Sequence, residues 1–220
     1  MGGRLTRALV ALALCVAVVG CSDDSQDPGS DESQSQSSGG SASPTDSLLV
    51  PDGIDLTPGG SALEVGDVAT VAYEVRQAVV GVLDIKVTRL EKTSFEESFA
   101  GWDLSAEDKA KKPYFVRATV VNRGETDLGD RPVPLYIVDG TNALVEATSF
   151  LSEFKPCSPG SFPKSFPSGK SVDVCLVFLA PDKGDLTAVS FRPTQEYDPI
   201  TWTGELKKPK PPKKPKPLRK

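Results

Sequence analysis

Along residues 66–202 the apolar side chains recur at every second position rather than every third or fourth. Ala69, Val71, Tyr73 and Val75 alternate with Thr70, Ala72 and Glu74, and Leu83, Ile85 and Val87 alternate with Asp84, Lys86 and Thr88. A period of two sends successive side chains to opposite faces of an extended chain, so each run predicts a half-buried strand. Val116, Ala118 and Val120 opposite Arg117 and Thr119 predict another. Residues 136–138 and 144–150 flank Asp139-Gly140, a strong hairpin signal. Residues 172–179 are apolar at nearly every position, which predicts a strand covered on both faces or one that carries its cysteine inward. With residues 187–191 and 200–206 the set reaches about eight strands separated by turn residues, the pattern of a β-sandwich. Helix has one claim. Ser94 is placed to cap residues 95–100 and Ser105 to cap 106–111 before Pro113, a short helical insertion between strands.

The ends read differently. Arg4 and Arg7 precede residues 8–19, an uncharged apolar run of twelve, too short to span about 30 Å of hydrocarbon but long enough for export. Residues 1–20 are therefore predicted to be a signal peptide. The run ends in Val18-Val19-Gly20-Cys21 and meets polar Ser22-Asp23-Asp24. That junction resembles the lipobox of bacterial lipoproteins. The resemblance implies lipidation of Cys21, cleavage before it, and retention on the outer face of the cell membrane. Residues 21–60 are rich in Ser, Gly, Gln, Asp and Pro, hold no basic residue and have almost no apolar residue before Leu48, so they predict a disordered, solvated tether. The folded domain is expected over residues 61–206.

Of four cysteines, Cys15 belongs to the leader and Cys21 to the lipid. Cys157 and Cys175 remain, and two thiols in an exported chain predict a disulfide. Closing a loop of roughly twenty residues is worth about 3 kcal/mol on the chain-entropy model.

Within the domain, residues 82–90, then Tyr114 through Asn122-Arg123-Gly124, then the strand ending in Asp139-Gly140, then Pro167-Ser168-Gly169 and Val177-Phe178-Leu179-Ala180-Pro181, occur in an order that is similar to one known family. It resembles the telokin-like, immunoglobulin-fold domain of unknown function found in Gram-positive lipoproteins, of the actinobacterial type where the cysteine pair is concerned. The resemblance implies an all-β, antiparallel immunoglobulin-like sandwich of seven to nine strands and an extracytoplasmic location. It carries no catalytic residues. Asn122, Gly124, Gly140 and Gly169 are expected to serve turns, through left-handed backbone or side-chain hydrogen bonds.

Composition narrows the chemistry further. The 220 residues contain no histidine, which excludes Ser-His-Asp and Cys-His nucleophile activation and His-ligated zinc. Glu96 and Glu97 are neighbours in sequence, not a pair facing across a substrate. Glu125, Asp127 and Asp130 fall in one loop, but without the spacing of a calcium loop they read as solvated turn acids. Ser165 and Ser168-Gly169-Lys170 are the only candidates for a Ser-Lys site and read as turn residues. Phe95, Phe99, Trp102, Phe150, Phe154, Phe162, Phe166 and Trp202 could line a groove, or fill core and loop clusters. No enzyme, metal or cofactor is expected.

Residues 207–220 hold eight basic residues and five prolines and no acid, whereas residues 21–206 hold fifteen basic residues against thirty acids. Alternating Lys and Pro favours an extended, unfolded tail. It is expected to contact an anionic envelope polymer or to neutralise the acidic remainder of the chain; nucleic acid conflicts with export. The functional expectation is a non-enzymatic binding lipoprotein that meets an envelope protein or polymer, the alternative being a carrier with a small apolar pocket.

Overall fold

A computed structural model describes residues 50–181 and 184–209. The leader, Cys21, most of the tether and the tail beyond Pro209 lie outside the described residues.

Ten strands and two helical turns are present: β1 Ala62–Glu64, β2 Val68–Arg76, β3 Val79–Lys92, α1 Phe95–Ser98, α2 Ala106–Ala110, β4 Lys112–Asn122, β5 Tyr136–Asp139, β6 Leu144–Glu146, β7 Ser171–Ala180, β8 Leu186–Phe191, β9 Ile200–Thr203 and β10 Leu206–Lys207. One sheet has the order β1-β9-β8-β5-β6; the other has β10-β3-β4-β7, with β2 also paired to β3. β2 takes β3 over residues 79–86 and β10 takes it at Leu90 and Glu91, so the two share one edge of the longest strand. The pairings are antiparallel except at two short strands, where β1 runs parallel to β9 and β10 parallel to β3.

The expected alternation sets the core. Val71, Leu83, Ile85, Val116, Val120, Leu176, Phe178, Val189, Phe191 and Trp202 are all fully or almost fully buried between the sheets. A register shift between Val87 and Arg89 breaks the period of β3. The extra residue keeps Leu90 in the core and turns Arg89 and Glu91 to the outer face, where plain alternation would have buried both charges between the sheets.

The domain is longer at both ends than its predicted bounds. Thr57 N–H donates to the Thr70 carbonyl at 2.8 Å and Gly60 N–H to that of Asp198 at 3.0 Å, so the last residues assigned to the tether are hydrogen-bonded to the fold. At the other end Lys207 pairs with Glu91, and the Lys208 carbonyl accepts from Arg89 Nη2 at 2.7 Å, so the basic segment begins inside the sheet. The strand predicted over 144–150 stops at Glu146, and the chain crosses to the second sheet through a bridge between Ala147 and Phe178. At the opposite corner Gly204 and Glu205 carry the chain from β9 to β10. A side chain at Gly204 would stand 2.7 Å from Val65 Cγ2, so only glycine passes there.

The turn residues act through hydrogen bonds more than through left-handed backbone. The buried Asn122 donates from Nδ2 to the Thr126 and Phe166 carbonyls, at 2.7 Å each, and its Oδ1 accepts from Gly124 N–H at 3.0 Å. Gly124 is needed for closeness, since a Cβ there would lie 3.0 Å from Val82 N. Gly169 does take a positive φ of 75°. In the hairpin after β5 the left-handed residue is Asn142, with φ 64°, in place of Gly140, because the Asp139 carboxylate pulls the loop around itself. Its Oδ1 accepts from the N–H groups of Thr141 and Ala143 and from the Thr141 hydroxyl.

Candidate binding cleft beside the disulfide

β7 is covered on both faces. Leu176 and Phe178 point into the sandwich, while Cys175 and Val177 point outward together with Phe115 of β4. The cysteine therefore leaves the sandwich core and bonds Cys157 on the outer face, with Cα atoms 5.0 Å apart.

A second hydrophobic layer grows on this outer face. Ser94 and Ser105 cap the two helical turns as their positions predict, accepting from Glu97 N–H at 3.2 Å and Asp108 N–H at 3.0 Å. Those turns fold residues 94–111 back over β4 and β7. Phe99 then packs against Phe154 with ring centroids 4.7 Å apart, Phe150 stacks on Phe154 at 4.7 Å, and Trp102 meets Phe150 edge-on at 5.0 Å. Five of the eight aromatics singled out in the sequence thus gather here. Phe162 and Phe166 instead stack on each other in the sandwich core, and Trp202 is buried there with its Nε1–H donating to the Asp67 carbonyl at 3.2 Å.

Next to the aromatic layer, Arg89, Arg117 and Cys175 are successive register partners across β3, β4 and β7. The fully buried Glu91 carboxylate accepts from Arg89 Nε at 2.6 Å and Arg117 Nε at 3.1 Å. Arg117 Nη2 also donates to the Pro156 carbonyl, so this charge cluster ties the disulfide loop to the sheet, as Arg89 ties down Lys208.

At the far edge of β7 lies a cleft of about 700 Å³. Its walls are residues 147–154 on one side and 157–161 on the other, its floor is Cys175, Leu176 and Val177, and Asp130 and Glu153 stand on its rim. Leu151, fully exposed, marks the tip of the first wall. The walls hold the strand edge at two points: Thr148 N–H donates to the Val177 carbonyl at 2.7 Å, and Cys175 N–H donates to the Pro159 carbonyl at 2.8 Å. Between them the Cys175 carbonyl and the Val177 N–H face the cleft, and neither meets a hydrogen-bond partner among the described residues. Nothing in the alternation of the sequence pointed to this gap; the signal that could have found it was the dense run of Ser, Pro and Phe over 149–167.

The remaining candidates are structural in their surroundings. Asp127 Oδ1 accepts from Phe166 N–H at 2.7 Å and Gly129 N–H at 2.9 Å, and these bonds hold its carboxyl below the usual carboxylate range. Ser165 Oγ donates to Asp127 Oδ2 at 3.0 Å. Lys170 N–H donates to Pro167 and its carbonyl accepts from Asn122 N–H, closing the turn through Gly169. Glu96 and Glu97 lie in the first turn of α1, where carboxylates favour the helix N-terminus. No three acidic or cysteine side chains among the described residues stand where they could hold a metal ion.

No protein-family model matches the chain, and no curated protein matches it. Among solved structures, it is similar to the secreted protein MPT63 of Mycobacterium tuberculosis, at 15% identity and a TM-score of 0.46, over 68% of this chain and 100% of that one. The strand order and the two packed sheets make the domain an immunoglobulin-like β-sandwich.

Proposed function

We propose that this chain is a lipid-anchored, extracytoplasmic and non-enzymatic binding protein whose sandwich presents the cleft beside the disulfide to another component of the cell envelope. The lipobox-like junction at Cys21 supports the anchor, and the telokin-like resemblance supports the compartment. The observation that carries the binding role is the cleft itself. It combines an exposed Leu151, an aromatic wall, an acidic rim and an unpaired stretch of strand edge, features through which loops and edges of such sandwiches make contacts. Ser165 and Asp127, two of the groups that could have supported hydrolysis, are bonded to each other, and Asp127 also accepts from Phe166 N–H.

A photo-crosslinking residue placed at Leu151 in intact cells tests the reading. It yields a discrete adduct that is lost when Glu153 and Asp130 are replaced by lysine, whereas the same probe at Thr187, exposed on β8, yields none. Equal labelling from both positions overturns it.

The volume of the cleft also lies in the range of small-ligand sites, which favours a carrier as the second reading. A solvatochromic apolar dye that binds the purified domain and is displaced by substitution of Phe150 would move the assignment to that class.

A further inference from the structure

We infer that the cleft is occupied by the chain's own C-terminal segment, residues 209–220. This rests on the proposed binding role of the cleft and adds its regulation: the segment holds the cleft until the envelope component displaces it. Three observations converge.

The first is the starting point and the reach. The Lys208 carbonyl is held on Arg89, and Arg89, Arg117 and Cys175 are register partners on adjacent strands. Strands are about 4.8 Å apart, so the root of the segment and the floor of the cleft are separated by roughly 10 to 15 Å of sheet. The twelve residues that follow Lys208 span about 37 Å as a polyproline-type chain. They cross the outer face with length to spare.

The second is charge. Residues 209–220 carry six basic side chains and no acid, and Asp130 and Glu153 stand on the rim of the cleft. The third is the shape of the gap. A proline-rich chain cannot form a continuous ladder, because each proline lacks an N–H. The free edge at the cleft floor asks for no ladder: contacts from Thr148 and Pro159 close it on either side and leave one carbonyl and one N–H. Lys216, set between two prolines and about 25 Å along the segment from Lys208, supplies the matching N–H and carbonyl.

The test is zero-length carbodiimide coupling of the full mature chain, which joins a lysine amine to a carboxylate in contact with it with loss of water, the activating reagent taking up that water as a urea. A mixture of isotope-labelled and unlabelled protein is used, and products are mapped by mass spectrometry. Links from Lys213, Lys214 or Lys216 to Glu153 or Asp130 are expected, within single chains, and they fall to background in the Glu153→Gln/Asp130→Asn variant. Links confined to the acids of residues 22–60 or to Glu96 and Glu97 overturn the inference, as do links between labelled and unlabelled chains, which would make a second copy the occupant. If the Leu151 photo-adduct forms in cells while these links are absent, the binding role stands and the self-docking falls. If neither appears, both fall.

Discussion

Tyr73 sits beside Phe191, with ring centroids 6.4 Å apart, and its hydroxyl is buried without a hydrogen-bond partner among the described residues. Burial pushes its pKa up to about 12, a nearby Arg131 opposing the shift. Because the folded value is raised, the folded state is fully favoured below the ordinary tyrosine pKa near 10 and loses stability as pH climbs from there toward about 12. Tyr73→Phe is expected to leave stability at neutral pH unchanged or raise it, and to flatten the alkaline limb of melting temperature against pH. Asp127 and Asp139 carry the opposite sign. Hydrogen bonds from Phe166 and Gly129, and from Thr141 and Ala143, hold their carboxyls low. Their contribution is complete above the free aspartate pKa of about 4 and disappears as pH falls through the lower folded values. Asp127→Asn combined with Asp139→Asn therefore shrinks the acid limb of the same titration. Asn122→Ala costs about 3 kcal/mol at all pH values, since it strands the buried Phe166 carbonyl and the half-buried Thr126 carbonyl, and urea unfolding reads that loss.

Among the elements, the outer aromatic layer depends on β4, α1 and the disulfide together. Phe115 is fully buried beneath Phe99 and Phe154, so Phe115→Ala costs about 4 kcal/mol, a loss measurable by thermal or urea unfolding. Reduction of the Cys157–Cys175 bond, which spans 18 residues, lowers stability by about 3 kcal/mol, seen as a fall in melting temperature with reductant. The long strands were legible because their inner positions, such as Val71, Ile85 and Val120, meet one continuous core. The caps at Ser94 and Ser105 were legible because a serine before an acidic first turn has one local use. β1 and β10 were not, since strands of three and two residues have no period to detect and exist through their partners β9 and β3. The cleft was hidden for a related reason: alternation assigns Cys175 and Val177 to a face, but not the segments 147–154 and 157–161 that wall them in.

For the whole molecule, the compartment reading turns on one atom. Cys21→Ala is expected to leave the precursor unprocessed or to shed the chain into the medium, as membrane fractionation and intact-mass measurement report; membrane retention of a processed, lipid-free form contradicts the anchor. The chain passes between the two sheets at corner crossings, where Ala147 bridges to Phe178 and Gly204 passes over Val65. The crossing at Gly204 has a mechanical result. Because β10 runs parallel to β3 and its end is clasped by Arg89, tension applied to the C-terminus loads that short strand lengthwise. The backbone bonds and the guanidinium contact then resist in shear, sharing the load before any of them yields, and the force passes into β3, the longest strand, instead of peeling the domain open from its end.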